Sequence, residues 1–118
     1  MALTIYHNPR CSKSRQTLKI IRDAGVEPLV VLYLQDPPDA AAILDIAAML
    51  GTPVADLLRR GESAFREAAD LPDLDDSAAL SRWLAAHPIV LQRPIVIDGD
   101  SGDAIIGRPP ENVLSLLR

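Results

Sequence analysis

The segment ALTIYHNPRCSKSRQTLKIIRDAGVEPLVVLYL, residues 2–34, decides the fold. Its first five residues, 2–6, predict a short strand that ends at a polar loop. A helical pattern begins at Ser12, and Gly25 is typical of a helix stop. The nearly continuous apolar run 28–34 predicts a buried strand. Strand, helix and strand together predict a βαβ unit with parallel strands and a right-handed crossover.

The helix of this unit has one apolar face, formed by Thr17, Leu18, Ile21 and Ala24. Four further helical segments follow it: residues 39–50, 53–60, 62–70 and 75–87. The last of these opens with an acidic cap. It carries Leu80, Trp83 and Leu84 on one face, as expected for a helix that packs against a core.

The C-terminal part of the chain predicts a hairpin and a last helix. Residues 94–98 and 103–107 are two short strands joined by a Gly/Asp/Ser turn. The final segment begins with prolines at a helix entrance and carries Val113 and Leu117 on one face. The order βαβ, helical block, ββα resembles the thioredoxin order with an insertion at about residues 39–90. We therefore predict a single α/β domain, 1–118, with a mixed sheet.

Composition narrows the class of protein. The chain has 118 residues, 48% hydrophobic and only 3% aromatic, which suffices for one aliphatic core. Its formal net charge of −4 argues against a nucleic-acid or membrane surface. We find no signal peptide and no apolar run of membrane length. One cysteine cannot form an internal disulfide, so we expect a cytoplasmic protein in a reducing compartment.

The lone cysteine, Cys11, lies in the polar stretch HNPRCSKSR, residues 7–15. It follows a strand and precedes a helix, where α/β sheets bind ligands and where free backbone N–H groups favour an anion. Arg15, one helical turn later, together with Arg10 and Lys13, adds positive charge. His7 closes the loop on its other side. We interpret Cys11 as a nucleophilic thiolate, and the alternative is an incidental exposed cysteine beside capping serines.

The residues that follow Cys11 limit its chemistry. Ser14 stands where a C-x-x-C redox motif has its second cysteine, so the motif is C-x-x-S and any redox cycle needs an external thiol. Arg15 gives C-x3-R, which is not the C-x5-R loop of cysteine phosphatases. The two histidines, His7 and His87, have no ligand spacing with the cysteine, so we expect no metal site.

Five motifs extend over essentially the whole chain. They are TIYHNPRCSKSR at 4–15, YLQDPP at 33–38, LLRRG at 57–61, HPIVLQRPIVI at 87–97 and IGRPPE at 106–111. Together they resemble the glutaredoxin-coupled arsenate reductases, in a shorter and less characterised branch. The resemblance implies a thioredoxin-like fold with a helical insertion. It also implies reduction of arsenate to arsenite with glutathione as co-substrate, glutaredoxin as partner, no bound cofactor and a monomeric state.

The resemblance also assigns roles to residues. Cys11 matches the nucleophile, and His7, Ser14 and Arg15 match residues near the thiol. Three arginines match those around the oxyanion: Arg59, Arg93 and Arg108. Each also has a simpler explanation, since Arg59 and Arg60 would end a helix and the other two flank strands. Pro94 matches the proline that faces the thiol in thioredoxin-like folds, which predicts a cis bond after Arg93.

One departure from the family pattern lies in the loop around Cys11. The family motif resembles H-N-P-x-C-G-T-S-R, whereas this chain has extra charge at Arg10 and Lys13. Two alternatives therefore stay open: an Spx-type regulator, which binds RNA polymerase without turnover, and a glutathione-linked oxidoreductase acting on another substrate. The acidic balance, Ser14 and the retained arginines favour the enzyme.

Overall fold

Residues 2–117 are described by a computed structural model, and they form two compact units. One unit runs through residue 36 and resumes at Arg93, whereas the other comprises Pro37–Gln92. The prediction of a single domain with an insertion at about residues 39–90 stays a prediction. No helix within residues 2–117 has the length and apolar character that crossing a bilayer requires.

The first unit contains a four-stranded mixed sheet. Its strands are β1 (Leu3–His7), β2 (Leu29–Leu32), β3 (Ile95–Asp98) and β4 (Ala104–Ile106). Their order is β2-β1-β3-β4; β1 and β2 are parallel, and the other two pairs are antiparallel. The predicted α/β class, parallel first pair and C-terminal hairpin are therefore confirmed.

Residues 28–34 contain the predicted strand, but the prediction that the strand is buried and spans the whole run is wrong. Strand β2 has only four residues and lies at one edge of the sheet, where Leu29 is 66% exposed. It ends at Leu32 because the carbonyl of that residue accepts hydrogen bonds from the N–H groups of Gln35 and Asp36, which turn the chain. A strand at an edge has one neighbour only, so an apolar sequence does not by itself ensure burial.

Helix α1 (Ser12–Asp23) begins directly after Cys11 and packs on the sheet. Its buried face lies one turn earlier than predicted, because Ser14 is fully buried and Ala24 is exposed. The core that it shares with the sheet consists of Leu3, Ile5, Leu18, Ile21, Val96, Val113 and Leu116. Gly25, with φ of 83°, provides the left-handed residue that ends the helix.

The last segment of the described chain, Pro110–Leu116, is a 3-10 helix that starts at a proline, as predicted. Val113 is buried, but its partner is Leu116 and not the predicted Leu117, which is only partly buried. The difference follows from the tighter winding: residues three apart lie on the same side of a 3-10 helix.

The second unit is helical. Its main helices are α2 (Ala40–Leu50) and α4 (Ser77–Ala86), with the one-turn helix α3 (Ser63–Arg66) between them. The side chains of Asp39 and Asp76 accept hydrogen bonds from the first turns of α2 and α4, respectively. The acidic cap predicted for α4 is confirmed, as is its buried face of Leu80, Trp83 and Leu84.

Two predicted helices of this unit are wrong in type or extent. Residues 53–60 contain only a 3-10 helix, Val54–Leu57, and the chain then extends so that Leu58 forms a β-bridge with Leu91. Arg59 and Arg60 therefore do not end a helix. The helix predicted at 62–70 is shorter than expected and consists of the single turn α3. No residue of α3 is buried, so no packing against a core stabilises a longer helix.

Candidate active site around Cys11

The loop between β1 and α1 is organised by Asn8. Its carbonyl accepts a hydrogen bond from the Cys11 N–H at 3.0 Å, and its Oδ1 accepts one from the Arg10 N–H at 3.0 Å. Asn8 is itself buried, with 6% exposure. This residue was not predicted from the sequence, although asparagine before proline is a known turn signal.

Ser14 connects this loop to α1 and to the end of β1. The hydroxyl of this fully buried serine accepts a hydrogen bond from the Asn8 N–H at 3.0 Å. It also forms a hydrogen bond with Nδ1 of His7, at 2.6 Å. Ser14 is thereby tied to two residues that lie seven and six positions earlier, so it supports the loop on which the thiol sits.

The thiol of Cys11 is partly exposed at the N-terminus of α1. Partial burial acts to raise its pKa, but four groups together outweigh this effect: the Ser14 N–H, the Arg93 side chain, the Arg108 side chain and the Lys13 N–H. The net result is a thiol pKa below its ordinary value of 9.0. Because the thiolate is the nucleophilic form, this environment activates the cysteine.

Arg108 makes a direct side-chain contact with the thiol. Its Nη1 lies 3.8 Å from Cys11 Sγ and donates a hydrogen bond to the Arg93 carbonyl oxygen at 3.1 Å. The predicted cis bond between Arg93 and Pro94 is confirmed. A second cis bond, between Arg108 and Pro109, was not predicted. Two of the three predicted arginines thus lie beside Cys11.

The backbone that carries Arg108 is fixed from two sides. Asn112 donates hydrogen bonds from Nδ2 to the carbonyls of Ile106 at 3.0 Å and Arg108 at 3.2 Å. Gly107 packs so closely on Thr17 and Pro94 that a Cβ there would overlap both side chains. Neither Asn112 nor Gly107 was found from the sequence, since both roles depend on segments that meet only in the fold.

His7 lies at the carboxyl end of β1 with 7% exposure. Burial lowers the pKa of its imidazole, and the charges of Arg22 and Arg15 lower it further, so His7 is neutral near pH 7. A cleft of about 390 Å³ runs past it along α1, lined also by Arg15, Lys19 and Arg22. Arg22 was not recognised in the sequence because it lies two turns beyond the motif.

Arg15 contacts the loop rather than the thiol. Its Nη1 donates a hydrogen bond to the Pro9 carbonyl oxygen at 2.9 Å, which braces the loop against α1. The groups that lower the pKa of Cys11 do not include the side chains of Arg10, Lys13 or Arg15. The positive potential expected from them is supplied by Arg93 and Arg108.

Arg59, the third predicted arginine, belongs to the second unit. Its side chain is 24% exposed and forms an ion pair with Glu62 at 3.3 Å, whereas Arg60 is exposed. Its backbone N–H donates to the Val90 carbonyl at 2.7 Å. A role for Arg59 at the thiol stays a prediction.

Comparison with known proteins identifies the family. The model of the ArsC family matches residues 6–116. The chain belongs to the ArsC family. The match extends from the end of β1 to the last 3-10 helix, and so includes Cys11, Arg93 and Arg108.

Individual ArsC relatives are similar over nearly their whole length. The Escherichia coli K12 protein YfgD, described as uncharacterized, is 45% identical over 96% of this chain and 94% of its own. A Haemophilus influenzae protein named arsenate reductase is 41% identical over 99% of this chain and 100% of its own. The solved structure of an arsenate reductase from Vibrio cholerae is 38% identical, covers 98% of this chain and 97% of its own, and has a TM-score of 0.85.

The donor atoms of the site suit an anion. Within residues 2–117, no three His, Cys, Asp or Glu side chains gather where they could hold a metal ion. The groups that face Cys11 are N–H donors: two arginine side chains and two backbone amides of α1. Such donors stabilise a thiolate, and they equally stabilise a tetrahedral oxyanion bound to it.

Proposed function

We propose that this chain reduces arsenate to arsenite, with Cys11 as nucleophile and with glutathione and glutaredoxin as the source of electrons. The observation that carries the proposal is the activated thiol of Cys11 with the guanidinium of Arg108 3.8 Å away. Relatives of similar length that are named arsenate reductases support the choice of substrate. The proposed setting is a cytoplasmic monomer.

In the first step the Cys11 thiolate attacks arsenic. A sulfur–arsenic bond forms, an arsenic–oxygen bond breaks, and the departing oxygen leaves as water after protonation. Arsenic remains pentavalent in this step. Arg93 and Arg108 bind the dianion and stabilise the charge that develops as the oxygen leaves, since a planar guanidinium donates two parallel hydrogen bonds to an oxyanion. Arg59 is proposed as a third anion ligand, and the basis for this role is its place in the LLRRG motif alone.

The second step is the reduction. Glutathione condenses with the Cys11 adduct and displaces another oxygen as water. A glutaredoxin thiolate then attacks the glutathione sulfur, the bond between that sulfur and arsenic breaks, and its electron pair stays on arsenic, which becomes trivalent. The oxidised product is the mixed disulfide of glutaredoxin and glutathione. Water releases arsenite and restores Cys11.

Ser14 explains why the reductant must come from outside. Its hydroxyl occupies the position of a second cysteine, is fully buried and is engaged with His7 and Asn8. Within residues 2–117, Cys11 is the free thiol, so the protein cannot discharge the adduct by an internal disulfide.

The test is an NADPH-coupled assay with glutathione reductase, glutathione and glutaredoxin, with and without arsenate. We expect arsenate-dependent NADPH oxidation by the natural protein and none by Cys11→Ser, since a serine hydroxyl ionises far less than a thiol. Far-UV circular dichroism and thermal unfolding of Cys11→Ser control for loss of fold.

Phosphate, which matches arsenate in shape and charge, should inhibit competitively. If the natural protein supports no NADPH oxidation with arsenate but, with glutaredoxin left out of the assay, supports it with a glutathione mixed disulfide, the proposed substrate is wrong and a general glutathione-linked oxidoreductase replaces it. Turnover retained by Cys11→Ser would exclude Cys11 as the nucleophile.

A further inference from the structure

Tyr33, the residue that follows β2, carries a hydroxyl whose hydrogen bonding the described residues leave incomplete. The side chain is fully buried, with 0% exposure. Among residues 2–117, no group meets hydrogen-bond geometry with its hydroxyl oxygen. A buried polar atom without a partner destabilises a protein and calls for an explanation. A phenyl ring would fill the same volume without the oxygen, so packing alone does not account for it.

The position of Tyr33 relates it to the Cys11 loop. In the parallel pair of β1 and β2, Leu32 is the register partner of His7, so Asn8 and Tyr33 are the residues that directly follow the two strands. The side chains of Asn8 and Arg93 lie close enough to the phenolic oxygen to lower its pKa by hydrogen bonding, although neither meets the strict geometry of a hydrogen bond, and the charge of Cys11 also reaches it. The hydroxyl therefore lies among residues that form the candidate site.

The phenol is neutral under ordinary conditions. Burial raises the pKa of Tyr33 above its usual value of 10.0, although Arg93 and Asn8 act in the opposite direction. A guanidinium has donors and no acceptor, so towards Arg93 the phenolic oxygen can only accept. Towards Asn8 it can accept from the amide nitrogen or donate to the amide oxygen.

We infer that Tyr33 is a positioning residue for Arg93: its hydroxyl oxygen accepts a hydrogen bond from the Arg93 guanidinium and so holds that side chain against the Cys11 thiolate. Hydrogen bonds of active sites are often long or poorly aligned before ligand binds and tighten only in the complex, which accounts for a contact that falls short of full hydrogen-bond geometry here. In this role Tyr33 acts through Arg93 and not on the thiol or the substrate. The inference rests on the proposed function in taking the thiolate as the working nucleophile.

The test compares Tyr33→Phe with Tyr6→Phe, which removes the hydroxyl of the other tyrosine in the sequence. The first readout is the pKa of Cys11, from the rate of iodoacetamide alkylation against pH, which requires no turnover. We expect Tyr33→Phe to raise this pKa in the same direction as Arg93→Ala, and Tyr6→Phe to leave it unchanged. Thermal unfolding should show Tyr33→Phe to be as stable as the natural protein or more stable, since an unpaired buried hydroxyl is lost.

A double-mutant cycle assigns the effect to Arg93. If Tyr33 acts through this arginine, adding Tyr33→Phe to Arg93→Ala produces no further rise in the thiol pKa and no further loss of turnover. In the coupled assay we expect Tyr33→Phe alone to lose about tenfold in kcat/KM, the range for one hydrogen bond to a charged group.

Three results would overturn the inference: an unchanged thiol pKa in Tyr33→Phe, an equal change in Tyr6→Phe, or additive effects in the double mutant. A failure of the proposed function would give a different set of results from a failure of this inference. In that case the natural protein does not turn over arsenate, while the alkylation profiles still decide whether Tyr33 positions Arg93.

Discussion

The two units of the molecule differ in what they bury. Among residues 2–117, the buried polar side chains of the unit that carries Cys11 are His7, Asn8, Ser14, Thr17 and Asp98. In Pro37–Gln92 the one buried polar side chain of the described chain is Ser81, whose hydroxyl donates to the Ala78 carbonyl of its own helix. The first unit places a polar network under a loop, whereas the second is an aliphatic helical cluster.

This difference indicates that the buried residues of the first unit position the reactive thiol, whereas those of the second unit stabilise the fold. Buried polar groups cost free energy unless they are paired, and their pairing fixes one arrangement. In the first unit that arrangement holds the loop beneath Cys11. In the second unit the buried residues are mostly Ile, Leu and Val, whose loss should affect unfolding and not thiol chemistry.

The largest expected effect comes from Arg108, whose guanidinium contacts the thiol. Arg108→Ala should lower arsenate turnover by roughly 10²–10³-fold, the effect of removing one donor to a developing oxyanion. It should also raise the pKa of Cys11, measured by alkylation rate against pH. Arg108→Lys should restore only part of the activity, because an ammonium keeps the charge and loses the guanidinium fork.

Arg59→Ala is the matched variant in the second unit. Arg59 is not among the groups that lower the pKa of Cys11. We therefore expect Arg59→Ala to impair turnover and leave the thiol pKa unchanged. If Arg59→Ala raised the pKa of Cys11 as much as Arg108→Ala does, the expected difference between the two arginines would be wrong.

The next effect is on stability. Leu80 is fully buried in α4, and Leu80→Ala should reduce the free energy of unfolding by about 2–5 kcal/mol, measured by urea denaturation. Leu44→Ala on α2 is the control, because Leu44 is 38% exposed and its loss should cost no more than about 0.5 kcal/mol. The alkylation profile of folded Leu80→Ala should match that of the natural protein; a changed profile would link this core to the thiol.

A smaller effect is expected at Gly107. Gly107→Ala inserts a methyl group against Thr17 and Pro94 and should destabilise the fold by about 1–3 kcal/mol. Gly61→Ala is the control, since a Cβ at Gly61 meets no atom within 4 Å. Because Gly107 precedes Arg108, the variant should also raise the thiol pKa. Equal stability of the two variants would show that the close packing at Gly107 relaxes freely.

The smallest effect concerns pH. The pKa of His7 is lower in the folded protein than its ordinary value of 6.5, so the unfolded chain binds a proton more readily. Stability from this residue is therefore present above about pH 6.5 and is lost as pH falls from there through the folded pKa. His7→Gln should flatten the fall in unfolding free energy over this range, whereas His87→Gln should keep it. If the unfolding free energy fell with pH in the same way for the natural protein and both variants, His7 would be excluded as the cause of the fall.

The local elements were predictable from the sequence, and the long-range ones were not. Periodicity and caps sufficed for α1 and α4, and the turn residues sufficed for the hairpin. The position of β2 at the sheet edge was missed because strand order depends on pairing between distant segments. The 3-10 winding at Val54–Leu57 was missed because the sequence is apolar enough for either helix type.

The same difference between local and long-range features applies to the residues of the candidate site. Cys11 was found because its neighbours in sequence are unusual for a cysteine. Asn8, Asn112 and Tyr33 were missed because an ordinary polar residue becomes significant only when burial and partners are known. Arg93 and Arg108 were named from motifs, and their placement beside the thiol required the fold.

The short outer strands of the sheet also bear on how the protein behaves at high concentration. The two edges are β2, with four residues, and β4, with three. Each offers few unpaired N–H and C=O groups to a strand of another molecule, and Pro28, just before β2, contributes no N–H at all. The sheet therefore provides a poor template for growth by strand addition, which protects an aliphatic protein from fibrillar aggregation.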